Sequence, residues 1–174
     1  MIRSPLPEWQ WRYLPENDRL ALQLAPDELF ITAYQGKKLT ITKEFCQSIT
    51  LEQTGEYHDF ASDLTQSFTD LPEPVIFHMV VHAVAARNFH KSIANKSWLF
   101  KTMDDALLLP PVVSLQTEMD EGIALTLENE GGFATLMLLS EQLQINAGKS
   151  FNRYDLIKTN VNTLSSSVSP ELFL

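Results

Sequence analysis

Two histidines four residues apart, His78 and His82, are the first residues in this sequence whose types and spacing suit a metal ion. On a helix they share a face, and imidazole nitrogens are ordinary zinc ligands. Residue 79 is methionine, so the metalloprotease pattern with its general-base glutamate is absent, and spacing identifies no third ligand. Histidines on an otherwise apolar helix are more often packed and hydrogen-bonded than metal-bound. Gly148-Lys149-Ser150 matches the end of a phosphate-binding loop, but position 143, where that loop's first glycine belongs, is leucine. The triplet therefore reads as a surface turn. No Gly-x-Ser-x-Gly occurs, and Ser165 to Ser167 read as a loosening polar tail. Cys46, the one cysteine, has no histidine near it in sequence. No catalytic, cofactor-binding or metal-ligating residue is assigned, and the chain is expected not to be an enzyme. The alternative kept open is a small-molecule-binding or metal-dependent cytosolic protein using the His78/His82 helix.

Charge says more. The 174 residues carry 13 Lys and Arg against 22 Asp and Glu, a net charge of −9. That balance argues against nucleic acid and against an anionic membrane surface as partners. No run approaches the roughly 18 consecutive apolar residues of a membrane helix. Prolines and tryptophans occupy the N-terminal stretch where a signal peptide would have its apolar core. A soluble, cytosolic protein is expected. Lys and Arg are absent from Glu44 through Ala86, which holds seven acidic residues, and from Thr102 through Gly148, which holds eight. Between these stretches stand Arg87, Lys91, Lys96 and Lys101, with His90 and no acid. Cations suit the C-terminal end of any helix, so part of this run is capping. The functional reading is a basic docking patch, formed by Arg87, Lys91 and Lys96, for an acidic protein partner.

The elements that must position these residues divide into two parts. Trp9, Trp11 and Tyr13 alternate with polar residues, and Leu20, Leu22 and Leu24 do the same after the Pro15–Asp18 turn. With Leu29–Thr32 they form an expected three-strand meander whose leucine row needs a cover. Tyr57, Phe60, Ala61, Leu64 and Phe68 follow helical spacing and supply it. Leu71-Pro72-Glu73-Pro74 ends that helix and opens another, from Val75 to about His90, apolar nearly all round and so buried. Beyond Lys101 come strand-like runs at 112–115, 123–127, 133–138 and 143–146, with hairpin turns at Asp120-Glu121-Gly122 and Glu130-Gly131-Gly132. A helix is expected from Tyr154 to Leu164, with Ile157, Val161 and Leu164 on one face. The fold class is α+β, with a mixed α/β domain over residues 1–100 and a mainly antiparallel β domain over 101–174. Leu172, Phe173 and Leu174 end the chain with three apolar side chains, expected either to dock on the C-terminal domain or to occupy the N-terminal one.

Several segments in order and spacing resemble the bacterial cell-division ZapC family. They are Trp9-x-Trp11-x-Tyr13, Asp18-Arg19-Leu20-x-Leu22-x-Leu24, Leu29-Phe30, Lys91-x-x-x-x-Lys96-Ser97-Trp98-x-Phe100, and the Ile145-x-Ala147-Gly148-Lys149 turn. Lys149 stands where that family has arginine and keeps the charge. The resemblance implies a protein of the septation machinery, at mid-cell in the cytoplasm, that binds the tubulin-like GTPase FtsZ. It would favour side-by-side bundling of FtsZ filaments in the Z-ring and lower their GTP turnover. It further implies an apolar pocket in the N-terminal domain, a β-barrel-like C-terminal domain, and partner-binding positions at Leu22, Lys91 and Lys96. Leu22 has a second reading as strand core, because its alternating neighbours Leu20 and Leu24 are apolar too. A monomer is the expected state.

Overall fold

In the computed structural model, which describes residues 2–103 and 109–168, the N-terminal aromatic alternation forms strand β1 (Gln10–Leu14). Trp11 and Tyr13 face inward and Gln10 and Arg12 outward, as a period of two requires. β2 (Arg19–Ala25) pairs antiparallel with β1, placing Leu22 opposite Trp11 and Leu20 opposite Tyr13. β3 (Glu28–Ile31) lies outside β2. A short strand without a sequence signal, β4 (Cys46–Ser48), lies outside β1, so the sheet order is β3-β2-β1-β4.

Two helices cover the leucine row. Helix α1 (Leu51–Ser67) starts at a capping box, in which Thr50 Oγ1 accepts from the Gln53 N–H and Gln53 Oε1 accepts from the Thr50 N–H. Gln53 Oε1 also accepts from the Trp11 indole at 3.0 Å, which ties the cap to the sheet. Tyr57, Phe60, Ala61 and Leu64 of the expected stripe are buried, whereas Phe68 is the half-buried C-cap just past the helix. Helix α2 (Glu73–Phe89) carries Pro74 in its first turn and buries eleven residues, so it is the central helix of this layer. Edge-to-face rings join the layers, Trp9 on Tyr57 at 6.0 Å and Trp11 on Phe89 at 5.5 Å.

The chain divides into two compact units, Met1–Ser92 and Ile93–Leu174. The second is antiparallel throughout its named strands. β5 (Val112–Gln116), β6 (Glu121–Glu130), β7 (Phe133–Leu138), β10 (Leu156–Asn160) and β11 (Leu164–Ser165) form a curled half-barrel sheet in the order β10-β7-β6-β5-β11. β8 (Gln142–Asn146) and β9 (Lys149–Asn152) make a separate hairpin that turns at Ala147-Gly148. The core gathers Phe100, Leu115, Leu136, Leu138, Leu143 and Ile157.

Three local expectations change. The helix expected from Tyr154 to Leu164 is strand β10, a 3-10 turn at Val161–Thr163, and strand β11. Ile157 and Thr159 are buried at strand spacing, and β10 pairs with β7 over five residues; β-branched residues at 157, 159 and 161 favour that outcome. The i, i+4, i+7 recurrence of Ile157, Val161 and Leu164 is a coincidence of spacing across a strand, a 3-10 turn and a second strand. Ser165 and Ser167 are not a loosening tail: Ser165 is buried in β11, and Ser114 Oγ donates to Ser167 O at 2.8 Å. The turn before β6 lies at Thr117–Asp120, with Glu121 and Gly122 already in the strand. Thr117 Oγ1 accepts from the Asp120 N–H there, so side chains make the turn rather than a glycine. The second hairpin turn sits where expected, and Gly131 and Gly132 both have positive φ (62° and 81°), which glycine adopts without strain. Leu172, Phe173 and Leu174 lie outside the described residues.

Candidate docking surface

Helix α2 ends at Phe89 because its last turn is taken up by a neighbouring segment. Thr40 N–H donates to Phe89 O, Leu39 and His90 form an antiparallel bridge, and Lys91 N–H donates to Lys38 O, each bond at 2.8 Å. Lys38 closes a 3-10 turn, Gly36–Lys38, that is itself anchored. Asp18, in the β1–β2 turn at φ 50°, accepts on Oδ1 from the Tyr13 hydroxyl (2.5 Å) and from the Gly36 N–H (3.1 Å). Those bonds, Tyr13's foremost, hold the Asp18 carboxyl below the usual carboxylate range. A Cβ on Gly36 would come within 2.8 Å of that oxygen, so a larger residue would push the Asp18 carboxylate off its two hydrogen bonds. The result is a rigid corner on which Lys37, Lys38 and Lys91 are all exposed. Lys37 and Lys38 escaped the reading by sequence because only a tertiary hydrogen bond brings them beside Lys91.

The other expected site residues fall differently. Arg87 is exposed but its guanidinium is paired: Nε lies 2.7 Å from Glu56 Oε2, and Asn88 Nδ2 donates to Glu56 Oε1 at 3.0 Å. This ion pair fastens the end of α2 to α1. Leu22 is 1% exposed, in the core between Trp11 and Phe30. It lines neither of two cavities on this unit, one of about 300 Å³ beside Gln10, Gln23 and Pro26 and one of about 240 Å³ beside Phe68, Leu71 and Ile76. Lys96 belongs to the second unit. Its N–H donates to Lys158 O at 2.9 Å and its ammonium lies 5.8 Å from the Phe151 ring centroid, a cation–π distance. Lys149 is exposed at the start of β9, just past the β8–β9 hairpin turn.

The histidine pair is not arranged as a metal site. His78 is exposed, whereas His82 is buried with both ring nitrogens engaged. His82 Nδ1–H donates to His78 O at 2.7 Å, and Nε2 accepts from the Ala33 N–H at 3.0 Å. These partners fix the neutral tautomer, and burial pushes its pKa down to about 4. Among the described residues no group of three His, Cys, Asp or Glu side chains converges as a metal cage, and no helix is long and apolar enough to cross a membrane.

Comparison with known proteins places this arrangement. Residues 2–91 match the family model "Cell-division protein ZapC, N-terminal", and residues 92–169 match "Cell-division protein ZapC, C-terminal". The cell division protein ZapC of Pseudoalteromonas atlantica is 30% identical over 159 residues, 88% of each chain. That of Aeromonas hydrophila is 25% identical over 167 residues, covering 95% of this chain and 93% of the relative. That of Shewanella woodyi is 28% identical over 160 residues, covering 91% and 88%. Two consecutive family matches that together span nearly the whole sequence, and relatives matched over most of their own length, leave one assignment: this chain belongs to the ZapC family of cell-division proteins.

Proposed function

We propose that this protein is a non-enzymatic adaptor that binds FtsZ filaments at the mid-cell division site in the cytoplasm, bundles them side by side and lowers their GTP turnover. The observation that carries this reading is the basic corner of Lys37, Lys38 and Lys91, held by backbone bonds on a chain of net charge −9. FtsZ is itself acidic, so two net-negative proteins repel at long range and need a local surface of opposite sign to dock. Lys91 and Lys96 stand five residues apart, one on each side of the boundary between the compact units, and supply the cations of one short docking segment. Arg87, paired with Glu56, braces the end of α2, two residues before Lys91, and Leu22 lies in the core of the sheet.

The test is co-sedimentation with FtsZ polymer. The double reversal Lys91→Asp/Lys96→Asp is expected to abolish pelleting. Reversing exposed Lys91 costs little stability, whereas half-buried Lys96 gives up its contact with Phe151 and is expected to lower the melting temperature slightly. Pelleting is therefore compared on protein shown to be folded. Wild-type pelleting is expected to fall as salt rises, since exposed attractions are screened beyond about 8–10 Å near physiological ionic strength. A folded double variant that pellets like wild type would remove the proposal.

A further inference from the structure

The second unit presents a tryptophan to solvent. Trp98 is 74% exposed, whereas the two other tryptophans, Trp9 and Trp11, are 0% and 1% exposed. It sits in a 3-10 turn, Ser97–Leu99, that is tied down on both sides. Ser97 Oγ donates to Asn95 Oδ1 at 2.6 Å and accepts from the Asn160 N–H at 2.8 Å. Lys96 N–H is bonded to Lys158 O, Lys101 N–H donates to Gln116 O at 2.8 Å, and Phe100 is buried in the core, stacked on Phe151 at 6.4 Å. The turn is therefore ordered by every residue except the one it displays. An indole could bury most of a large apolar surface, and leaving it in water forgoes that gain.

We propose that Trp98 is the apolar anchor of the second unit's docking surface, and that its occupant is an acidic protein segment carrying an apolar side chain. The apolar side chain lies on the indole, and the carboxylates face Lys96 and Lys101. Residues 93–103 contain these two lysines and no acid, which supplies the charge complementarity for such a segment. Tryptophans with rigid surroundings are the residue type that most often dominates binding energy at an interface, because little conformational freedom is lost on docking. The inference rests on the docking reading above and adds to it a residue and a partner chemistry.

The burial of Trp9 and Trp11 makes the test selective, because acrylamide quenching of the protein's fluorescence reads Trp98. Adding saturating FtsZ polymer to the full-length protein, with Trp98→Phe as the blank, is expected to lower the quenching of Trp98 and shift its emission to the blue. Trp98→Ala is expected to weaken co-sedimentation by about tenfold or more with an unchanged melting curve. If wild type pellets but Trp98 remains equally quenchable, or Trp98→Ala pellets as well as wild type, the anchor is wrong and the docking reading stands. If wild type does not pellet at all, both fall together. Protection of Trp98 by phosphatidylglycerol vesicles in the absence of FtsZ would overturn the proposal in favour of a membrane occupant. The quenching arm needs no truncation, so a misfolded Trp98→Ala leaves the proposal testable.

Discussion

His82 shows how one buried side chain couples the first unit to pH. Its neutral form is needed twice, as donor to His78 O and as acceptor from Ala33 N–H, and protonating Nε2 breaks the second bond. The side chain is packed between the rings of Phe30 and Tyr34, with His78, another titratable group, one turn away. A folded pKa of about 4 against an ordinary 6.5 means that the unfolded chain takes up the proton first as pH falls. Stability is thus fully present above about pH 6.5, is lost between there and about pH 4, and loses nothing further from this group below. At 1.36 kcal/mol per unit the loss is on the order of 3 kcal/mol. Urea midpoints measured across this window are expected to fall for wild type, and less steeply for His82→Gln, whose amide can serve as both donor and acceptor. Equal slopes for the two proteins would show that His82 is not the group responsible. Leu22 makes the complementary point. Its type and alternation suit either a pocket wall or a strand core, and only its burial between Trp11 and Phe30 decides for the core.

At the scale of elements, the first unit depends on how its helices are started and stopped. α1 is initiated by Thr50 and Gln53, and Gln53 at the same time satisfies the indole N–H of the buried Trp11. Thr50→Ala removes one cap bond and is expected to cost about 1 kcal/mol. Gln53→Ala is expected to cost more, because a buried indole N–H left unpaired adds roughly 1–3 kcal/mol of desolvation penalty. Urea denaturation of the two variants checks the order; Thr50→Ala as the worse variant would mean that the cap alone matters. α2 is stopped differently. Its Phe89 carbonyl is taken by the Thr40 amide, and its last turn is strapped to α1 through Arg87, Asn88 and Glu56. Two residues past the helix, the Lys91 N–H donates to the Lys38 carbonyl.

For the whole molecule, the cations at 91 and 96 lie five residues apart, within about 18 Å even in a fully extended chain, so they form one docking segment rather than two. One segment attaches a chain to one filament, and bundling then needs a second copy of the chain or a second surface elsewhere on it. Lys91→Asp alone and Lys96→Asp alone are each expected to lower co-sedimentation with FtsZ polymer and the light scattering of bundles together. A single variant that keeps full co-sedimentation but loses the scattering would show instead that the two lysines serve separate filaments.

Much of this architecture was legible in the sequence because it rests on local periodicity. The alternation around Trp11 and Leu22 specifies strands, the Tyr57–Leu64 spacing specifies an amphipathic helix, and the apolar run ending at Phe89 specifies a buried one. The two glycines at 131 and 132 specify their own turn, since few other residues accept positive φ at both positions. Charge blocks, too, are visible in a window of fifteen residues. Tertiary structure decided whatever depended on a distant partner. Ile157, Val161 and Leu164 satisfy a helical spacing while Ile157, Thr159 and Val161 satisfy a strand spacing, and pairing with β7 chose the strand. Arg87 reads in the sequence as a helix-end cation, and only the tertiary structure adds its ion pair with Glu56 on another helix. Lys37 and Lys38 looked unremarkable until a backbone bond placed Lys91 beside them. In each case the local pattern leaves the outcome open, and a hydrogen bond or ion pair to a residue far away in the chain decides it.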